Sequence, residues 1–295
     1  MILLGAGWFF LLGAFFGSFA VAQVWRLRAR QLVEDNTHGE KVSKRELARL
    51  APLIRPVATD RSECLHCRRV LAWYDLVPVI SWVMLGGRCR YCRKPIGITE
   101  VLVELGLGVV FTFSFVFWPV ALNTPVAWIS FLLWLSACVL MAILLVYDAR
   151  WYLLPFVVNV SLIGVAMVFA ALQLWQDGWV SSSLMSVLLA LAILAGIYYV
   201  FSLFGWVGLG DSILGVGLAL LLGRWEYALL ALFLANLIGC LALVPLALQK
   251  KLHRSLHIPF GPFLILGTVV TMLWGESLIR LFLVVMNAPS LLLML

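Results

Sequence analysis

Seven long apolar runs constrain this chain more than any other feature. They fall at 3–24, 101–121, 127–147, 153–174, 184–206, 226–248 and 260–286. A helix needs about 20 predominantly apolar residues to cross the hydrocarbon core of a bilayer, and every run is about that long. Only 12% of the 295 residues are charged, against about 25% in soluble domains. The sequence therefore predicts an all-α polytopic membrane protein whose solvent is largely lipid.

An eighth, shorter apolar stretch covers 212–222, directly after Asp211. At about 1.5 Å per residue it reaches only about halfway across the hydrocarbon. We therefore expect seven to eight transmembrane helices.

The positive charge is concentrated in one loop, because 15 of the 21 Lys and Arg residues lie between Arg26 and Lys94. Such a cluster can bind nucleic acid, but this loop also carries seven acids and lies between two spans. The positive-inside rule explains the cluster better and predicts that the loop lies in the cytoplasm. The N-terminus is then outside, and the basic residues within 249–254 lie in a second cytoplasmic loop. The predicted parts are a first helix (1–25), a cytoplasmic loop domain (26–99) and a multi-helix membrane domain (100–295). No nucleic-acid partner is expected.

Four cysteines form two CxxC pairs in this loop, Cys64 with Cys67 and Cys89 with Cys92, separated by 21 residues. Two such pairs are typical of a zinc site in which each pair supplies two thiolates to a tetrahedron. Disulfides are the alternative, and the reducing cytoplasm favours metal. Four thiolates leave no open coordination position, so the zinc is predicted to be structural. His66 lies inside the first pair and is a less favoured substitute ligand.

Two aspartates end apolar segments in the membrane domain, Asp148 in LLVYDARWYLLP and Asp211 in GLGD. Counting spans places both on the cytoplasmic side. Ionisable groups at membrane depth are functional candidates, and two close carboxylates share a proton, so that one acts as base and the other as acid. Such a pair can activate water against a peptide carbonyl. The alternative is that each aspartate only caps a helix.

Three further residues are candidates for accessory roles. Gly208 and Gly210 precede Asp211, and we expect them to adopt backbone conformations closed to other residues and to let an extended peptide approach the carboxylate. Glu104 lies within the second apolar run, where it is either an accessory group of the site or a buried polar anchor.

These motifs, in this order, resemble the type IV prepilin peptidase family, whose members are GxGD aspartic intramembrane proteases. The resemblance rests on GSFAVAQVWRL (17–27), DLVPVISWVMLGGRCRYC (75–92), VLVELG (101–106), the Asp148 to Leu-Pro stretch, GLGD (208–211) and IPFGPFLILG (258–267). One departure is Ile213, which stands where the family usually has a lysine.

The resemblance implies an enzyme of the bacterial inner membrane with Asp148 and Asp211 as its catalytic pair. Its implied substrates are prepilins and pseudopilins, whose basic leader is removed at the cytoplasmic membrane face. It also implies N-methylation of the new N-terminus, with S-adenosylmethionine as the donor, and methyl transfer is then the reaction in which Glu104 would have its accessory role.

Three alternatives remain open at this stage. A GxGD protease could cleave other membrane segments, a silent family member could act as a scaffold in a pilus or secretion assembly, and paired acids can also carry protons in a transporter. Transport favours charges at the bilayer midplane, whereas both aspartates are expected nearer the interface.

Overall fold

The structure is a computed structural model that describes residues 2–56, 60–249 and 258–292. Lys250, Lys251 and Arg254, which were predicted to form an inside loop, lie outside the described residues.

The regular secondary structure in the described part of the chain is all helical, as predicted, and the only β pairing there consists of isolated bridges at Glu63–Val70 and Arg88–Pro95. The helices are α1 (Ile2–Thr37), α2 (Lys44–Leu50), α3 (Ile80–Met84), α4 (Ile98–Val116), α5 (Pro125–Trp151), α6 (Phe156–Gln176), α7 (Ser181–Leu191), α8 (Ile197–Leu203), α9 (Leu209–Leu222), α10 (Trp225–Leu248) and α11 (Gly261–Leu292). A π-helical turn, Ala192–Gly196, joins α7 to α8.

Seven described helical segments are long and apolar enough to cross a membrane, which confirms the predicted number. The segment α7–α8 counts as one of them, from Ser181 to Leu203. Helix α9 has 14 residues and is shorter than a full span. The chain is therefore a multi-pass membrane protein.

Helix α1 continues 13 residues beyond the predicted span, to Thr37. Its 36 residues extend about 54 Å, well beyond a hydrocarbon core of about 30 Å. The extension is amphipathic: Ala29 and Leu32 are buried with Leu50 of α2, and Arg28 forms an ion pair with Glu46 (3.1 Å). Packing against α2 therefore stabilises the part of α1 beyond residue 24, where the apolar run, and with it the predicted span, ends. Helix α2 itself begins after Ser43, its N-cap, whose side chain accepts a hydrogen bond from the Glu46 N–H (3.4 Å).

Helix α4 ends at Val116 rather than at 121. Pro119 follows three residues later, and proline both lacks an N–H and disfavours the helical conformation of the preceding residue. Hydropathy does not register this, so the predicted span was too long at its end.

The chain folds as two compact units, Met1–Val116 and Phe117–Leu295. In the first unit α1 and α4 pack side by side and run antiparallel. Gly13 and Gly17 allow the two backbones to approach closely, because any larger residue would clash: a Cβ at Gly13 would lie 2.5 Å from Leu107 O, and a Cβ at Gly17 would lie 2.7 Å from Glu104 Cα. The three-part division predicted from the sequence stays a prediction.

In the second unit α9 lies against α6 and against the π-helical turn. A Cβ at Gly215 would lie 2.3 Å from Leu194 O, and the Ser212 hydroxyl donates to Ala195 O (3.0 Å). This hydrogen bond ties the first turns of α9 to the backbone of the π-helical turn. These contacts hold the short helix α9, and with it Asp211, in one position.

Candidate functional site

The four loop cysteines converge, as the spacing predicted. Their four Sγ atoms lie within 4.8 Å of one another, and Sγ of Cys64 is 3.8 Å from Sγ of Cys92. Tetrahedral thiolates at a Zn–S distance of about 2.3 Å are about 3.8 Å apart, whereas a disulfide needs about 2.05 Å. This cluster can hold a metal ion, and its donor set fits zinc.

Both CxxC loops fold in the same way. The N–H of the residue after the second cysteine donates to the carbonyl of the first, Arg68 to Cys64 (2.9 Å) and Arg93 to Cys89 (3.0 Å). Both arginines have positive φ, 61° and 57°. The repeated conformation turns two sulfurs from each loop toward a common centre.

Burial and hydrogen bonding shift the pKa values of the Cys64 and Cys89 thiols in opposite directions. Burial raises the pKa of Cys64 to about 12. Burial also raises the pKa of Cys89, but hydrogen bonds from the backbone of Cys92 and Tyr91 outweigh it and lower that pKa to about 7. A bound divalent cation would displace the remaining protons. His66 contributes its backbone N–H to Cys64 Sγ (3.4 Å) and is not among the clustered ligand groups.

In the second unit, Asp148 lies in the last turn of α5 and is 5% exposed. Its Oδ2 atom accepts a hydrogen bond from the Gly261 N–H (3.1 Å) at the start of α11. Tyr152 ends α5 in the left-handed conformation with φ 57°, and its N–H donates to Asp148 O. The aspartate is therefore held by two elements that are distant in sequence.

Asp211 is the third residue of α9 and is half-buried. Its backbone N–H donates to the carbonyl of Gly208, the N-cap residue (3.1 Å), and its carboxylate lies in the first turn of the helix, where the dipole favours a negative charge. This position is compatible with the capping alternative, and both interpretations of Asp211 stay predictions. Asp211 also interacts electrostatically with Asp148.

The start of α11 lies beside both Asp148 and the helix that carries Asp211. A Cβ on Gly261 would lie 2.7 Å from Asp148 Oδ2 and 3.6 Å from Leu214, one turn beyond Asp211. Tyr198 of α8 interacts with Asp211, and its ring lies 5.5 Å from the Phe260 ring. Asp148 and Asp211 thus share one neighbourhood built from α5, α8, α9 and α11.

The glycines before Asp211 differ from the expectation in their backbone. Gly208 has φ −73° and ψ 146°, a conformation open to any residue, and Gly210 lies in the helix without a positive φ. A Cβ on Gly210 would lie 3.2 Å from Leu154 Cβ. Gly210 therefore provides room for the segment after α5, and a role for either glycine in substrate approach stays a prediction.

In the first unit, Glu104 is buried, with 8% of its surface exposed. Its Oε2 accepts a hydrogen bond from Val79 N–H (2.7 Å), and its side chain is also hydrogen-bonded to Ser18. These contacts are those of a buried polar anchor, and the accessory role of Glu104 stays a prediction beside it.

Sequence reasoning assigned no role to Gly261, Tyr198 or Phe260. Gly261 and Phe260 lie in the stretch 258–267 that contributed to the family resemblance, so that motif carried a usable signal. Tyr198 had none, because it is one aromatic residue in an apolar span.

Comparisons with known proteins agree with this architecture. A family model described as "Bacterial Peptidase A24 N-terminal domain" matches residues 11–118, and one described as "Type IV leader peptidase family" matches residues 135–244. The two matches define a membrane peptidase with an N-terminal cysteine-bearing domain. No solved structure matches the chain significantly.

Curated relatives match most of the chain. It is 30% identical over 228 residues to the prepilin leader peptidase/N-methyltransferase of Aeromonas hydrophila, covering 76% of this chain and 74% of that protein. It is 30% identical over 268 residues, 88% of this chain and 90% of the relative, to the type 4 prepilin-like proteins leader peptide-processing enzyme of Escherichia coli O78:H11. The Pseudomonas aeruginosa prepilin leader peptidase/N-methyltransferase is 27% identical over 282 residues, 92% of this chain and 91% of that protein. The chain belongs to the type IV leader peptidase family, which confirms the resemblance and the enzyme class.

Proposed function

We propose that this protein removes the basic leader of type IV prepilins or pseudopilins at the cytoplasmic face of the bacterial inner membrane, with Asp148 and Asp211 as its catalytic carboxylates. The observation that carries the proposal is the shared neighbourhood of two aspartates 63 residues apart in sequence, one of them 5% exposed and hydrogen-bonded to the Gly261 N–H.

The chemistry follows from a carboxylate pair that holds one proton between its members. The ionised member takes a proton from water, whose oxygen attacks the peptide carbonyl carbon. The protonated member then donates its proton to the nitrogen as the C–N bond breaks, which leaves a new carboxyl terminus and a free amine. The Gly261 N–H donates to Asp148 Oδ2 and so orients this carboxylate.

The positive-inside distribution supports the cytoplasmic orientation. Fifteen of the 21 Lys and Arg residues lie in the loop from Arg26 to Lys94, and this charge bias favours a cytoplasmic location for the cysteine cluster. We assign the cluster a structural zinc, held by Cys64, Cys67, Cys89 and Cys92. Bound zinc would stabilise a loop domain with little apolar core of its own.

The second proposed activity is N-methylation of the new amine with S-adenosylmethionine. It is supported by the family and by the names of the relatives, several of which are prepilin leader peptidase/N-methyltransferases. No cradle for S-adenosylmethionine is evident among the described residues, so methyl transfer is proposed from family membership alone.

Mass spectrometry of a pilin co-expressed with this protein tests both activities together. We expect the pilin to lose its leader only when the protein is present, and the new N-terminus to carry the additional mass of one CH2 group. Cleavage without the added mass would remove the methylation proposal and keep the peptidase. An intact leader on every pilin tested, with the protein folded in the membrane, would contradict the peptidase and favour a scaffold.

A further inference from the structure

The loop between the two CxxC pairs carries an exposed apolar surface. We call it the apolar face: Trp73, Ile80, Val83 and Met84, which are 78%, 54%, 63% and 81% exposed. Side chains of this kind in a solvated loop are usually buried, so a cluster of them on the surface calls for a partner.

The segment is one-sided. Ile80, Val83 and Met84 are spaced i, i+3 and i+4 on α3 and therefore share a face. Trp82 points the other way, since a Cβ on Gly87, in the turn before Cys89, would lie 2.9 Å from its ring. One side of α3 thus packs on the cysteine loops and the other remains uncovered within the described residues.

A hydrogen bond fixes the level of this segment relative to the helices. The Val79 N–H donates to Glu104 Oε2 (2.7 Å), and Glu104 lies six residues into α4, about 9 Å along the helix axis. Helix α4 is a candidate membrane span of 19 residues, about as long as the hydrocarbon is thick. The backbone at Val79 therefore lies level with a point about 9 Å inside the end of α4, which is within the depth of about 5–10 Å to which interfacial segments bury their apolar faces.

The turn at Val79 is a strained one. Val79 has φ 62° and ψ −52°, and Ile80 N–H donates to Pro78 O across it (2.6 Å). This is a γ-turn of the uncommon positive-φ kind, and a β-branched residue is disfavoured there. Such strain persists only where surrounding contacts enforce it, and the buried Glu104 carboxylate is one such contact.

The charged residues next to the apolar face are Asp75 and Arg90, which neutralise each other. Asp75 is paired with Arg90 (2.8 Å), and only 3% of the aspartate side chain is exposed. The Arg90 guanidinium also lies 4.9 Å from the centre of the Tyr74 ring. An apolar surface with an aromatic residue at its edge and arginine beside it is typical of segments that lie at the membrane interface.

We propose that the apolar face inserts into the interfacial layer of the lipid bilayer, so that the cysteine loop is attached to the membrane at α3 as well as through α1 and α4. Its partner is the lipid itself, with the acyl chains near the head groups contacting Ile80, Val83 and Met84.

The test places a fluorescent amino acid at Met84 in the full-length protein in lipid nanodiscs of phosphatidylethanolamine and phosphatidylglycerol. We expect nitroxide-labelled lipid to quench it and aqueous iodide to leave it unquenched. The matched controls are Glu40, exposed in the turn after α1, and Leu132, exposed on α5. Iodide alone should quench the first and lipid nitroxide alone the second. The same label at Val83 should behave as at Met84, and cysteine alkylation should match that of the unlabelled protein.

Two results would overturn the proposal. Quenching by iodide and not by lipid at both positions would show that the face is in water. Iodide quenching that disappears only when a prepilin is added would show that the face binds the substrate rather than the membrane.

Discussion

The cysteine cluster and the carboxylate site are assembled in different ways. Each half of the cysteine cluster is made by a few consecutive residues, whose hydrogen bonds recur at Cys64 and Cys89. The carboxylate site takes one residue from each of several helices, and Asp148 meets Gly261 across 113 residues. A change in the first alters a local ligand set, whereas a change in the second acts through the packing of helices.

Replacing either aspartate should have the largest effect. Asp148→Asn and Asp211→Asn each remove a group able to exchange a proton, so we expect prepilin cleavage to fall about 10²–10⁴-fold. The measurement is the rate of leader removal by purified protein in detergent or nanodiscs. Asp177→Asn is the matched control, because Asp177 ends α6 and contacts Ser183 (3.0 Å) outside this neighbourhood. Wild-type cleavage by either catalytic-site variant would refute the assignment.

Adding one methyl group at Gly261 should have the next largest effect. The new Cβ of Gly261→Ala would lie 2.7 Å from Asp148 Oδ2, so the carboxylate or α11 must move. A displacement of about 1 Å can slow catalysis about 10²-fold. Gly164→Ala on α6 is the control, since its Cβ would meet nothing within 4 Å. Equal cleavage rates in the two variants would show that the Gly261 contact does not orient a reacting group.

Removing a thiolate should affect metal content more than chemistry. Cys64→Ser or Cys89→Ser breaks the four-sulfur set, and we expect bound zinc to fall from about one per chain to near zero. Cleavage per folded molecule should fall less than in Gly261→Ala. Metal analysis of purified protein gives the first quantity, and Cys240→Ser, on the exposed surface of α10, is the control. Zinc-free wild-type protein with freely alkylated Cys64 and Cys89 would contradict the metal assignment.

Of these four sets of substitutions, those at Glu104 should have the smallest effect, and it should appear in stability. Glu104→Leu leaves the Val79 N–H without its acceptor, and an unpaired buried donor destabilises by about 1–3 kcal/mol. Glu104→Gln keeps an acceptor oxygen and should lose less. Thermal unfolding in detergent measures both. A larger loss of methylation than of stability in Glu104→Gln would instead support the accessory role in methyl transfer.

Much of this architecture could be predicted from residue order. The number of spans followed from runs of about 20 apolar residues, because bilayer thickness sets that length. The cysteine cluster followed from its two CxxC spacings, because each CxxC loop is a local structure. Helix ends were predicted less well: α4 stops at Val116 before Pro119, and α1 continues to Thr37 because its extension packs on α2.

The sequence by itself determined the helices, their apolar surfaces and the thiol ligand set, since these depend on composition and on neighbours close in the chain. Only the tertiary structure decided that Gly261 donates to Asp148, that Tyr198 lies near Asp211 and that Glu104 holds the Val79 turn. Each of these contacts joins helices or loops far apart in sequence. Their geometry depends on how closely glycine-lined helices approach one another, which no periodicity in a single segment encodes.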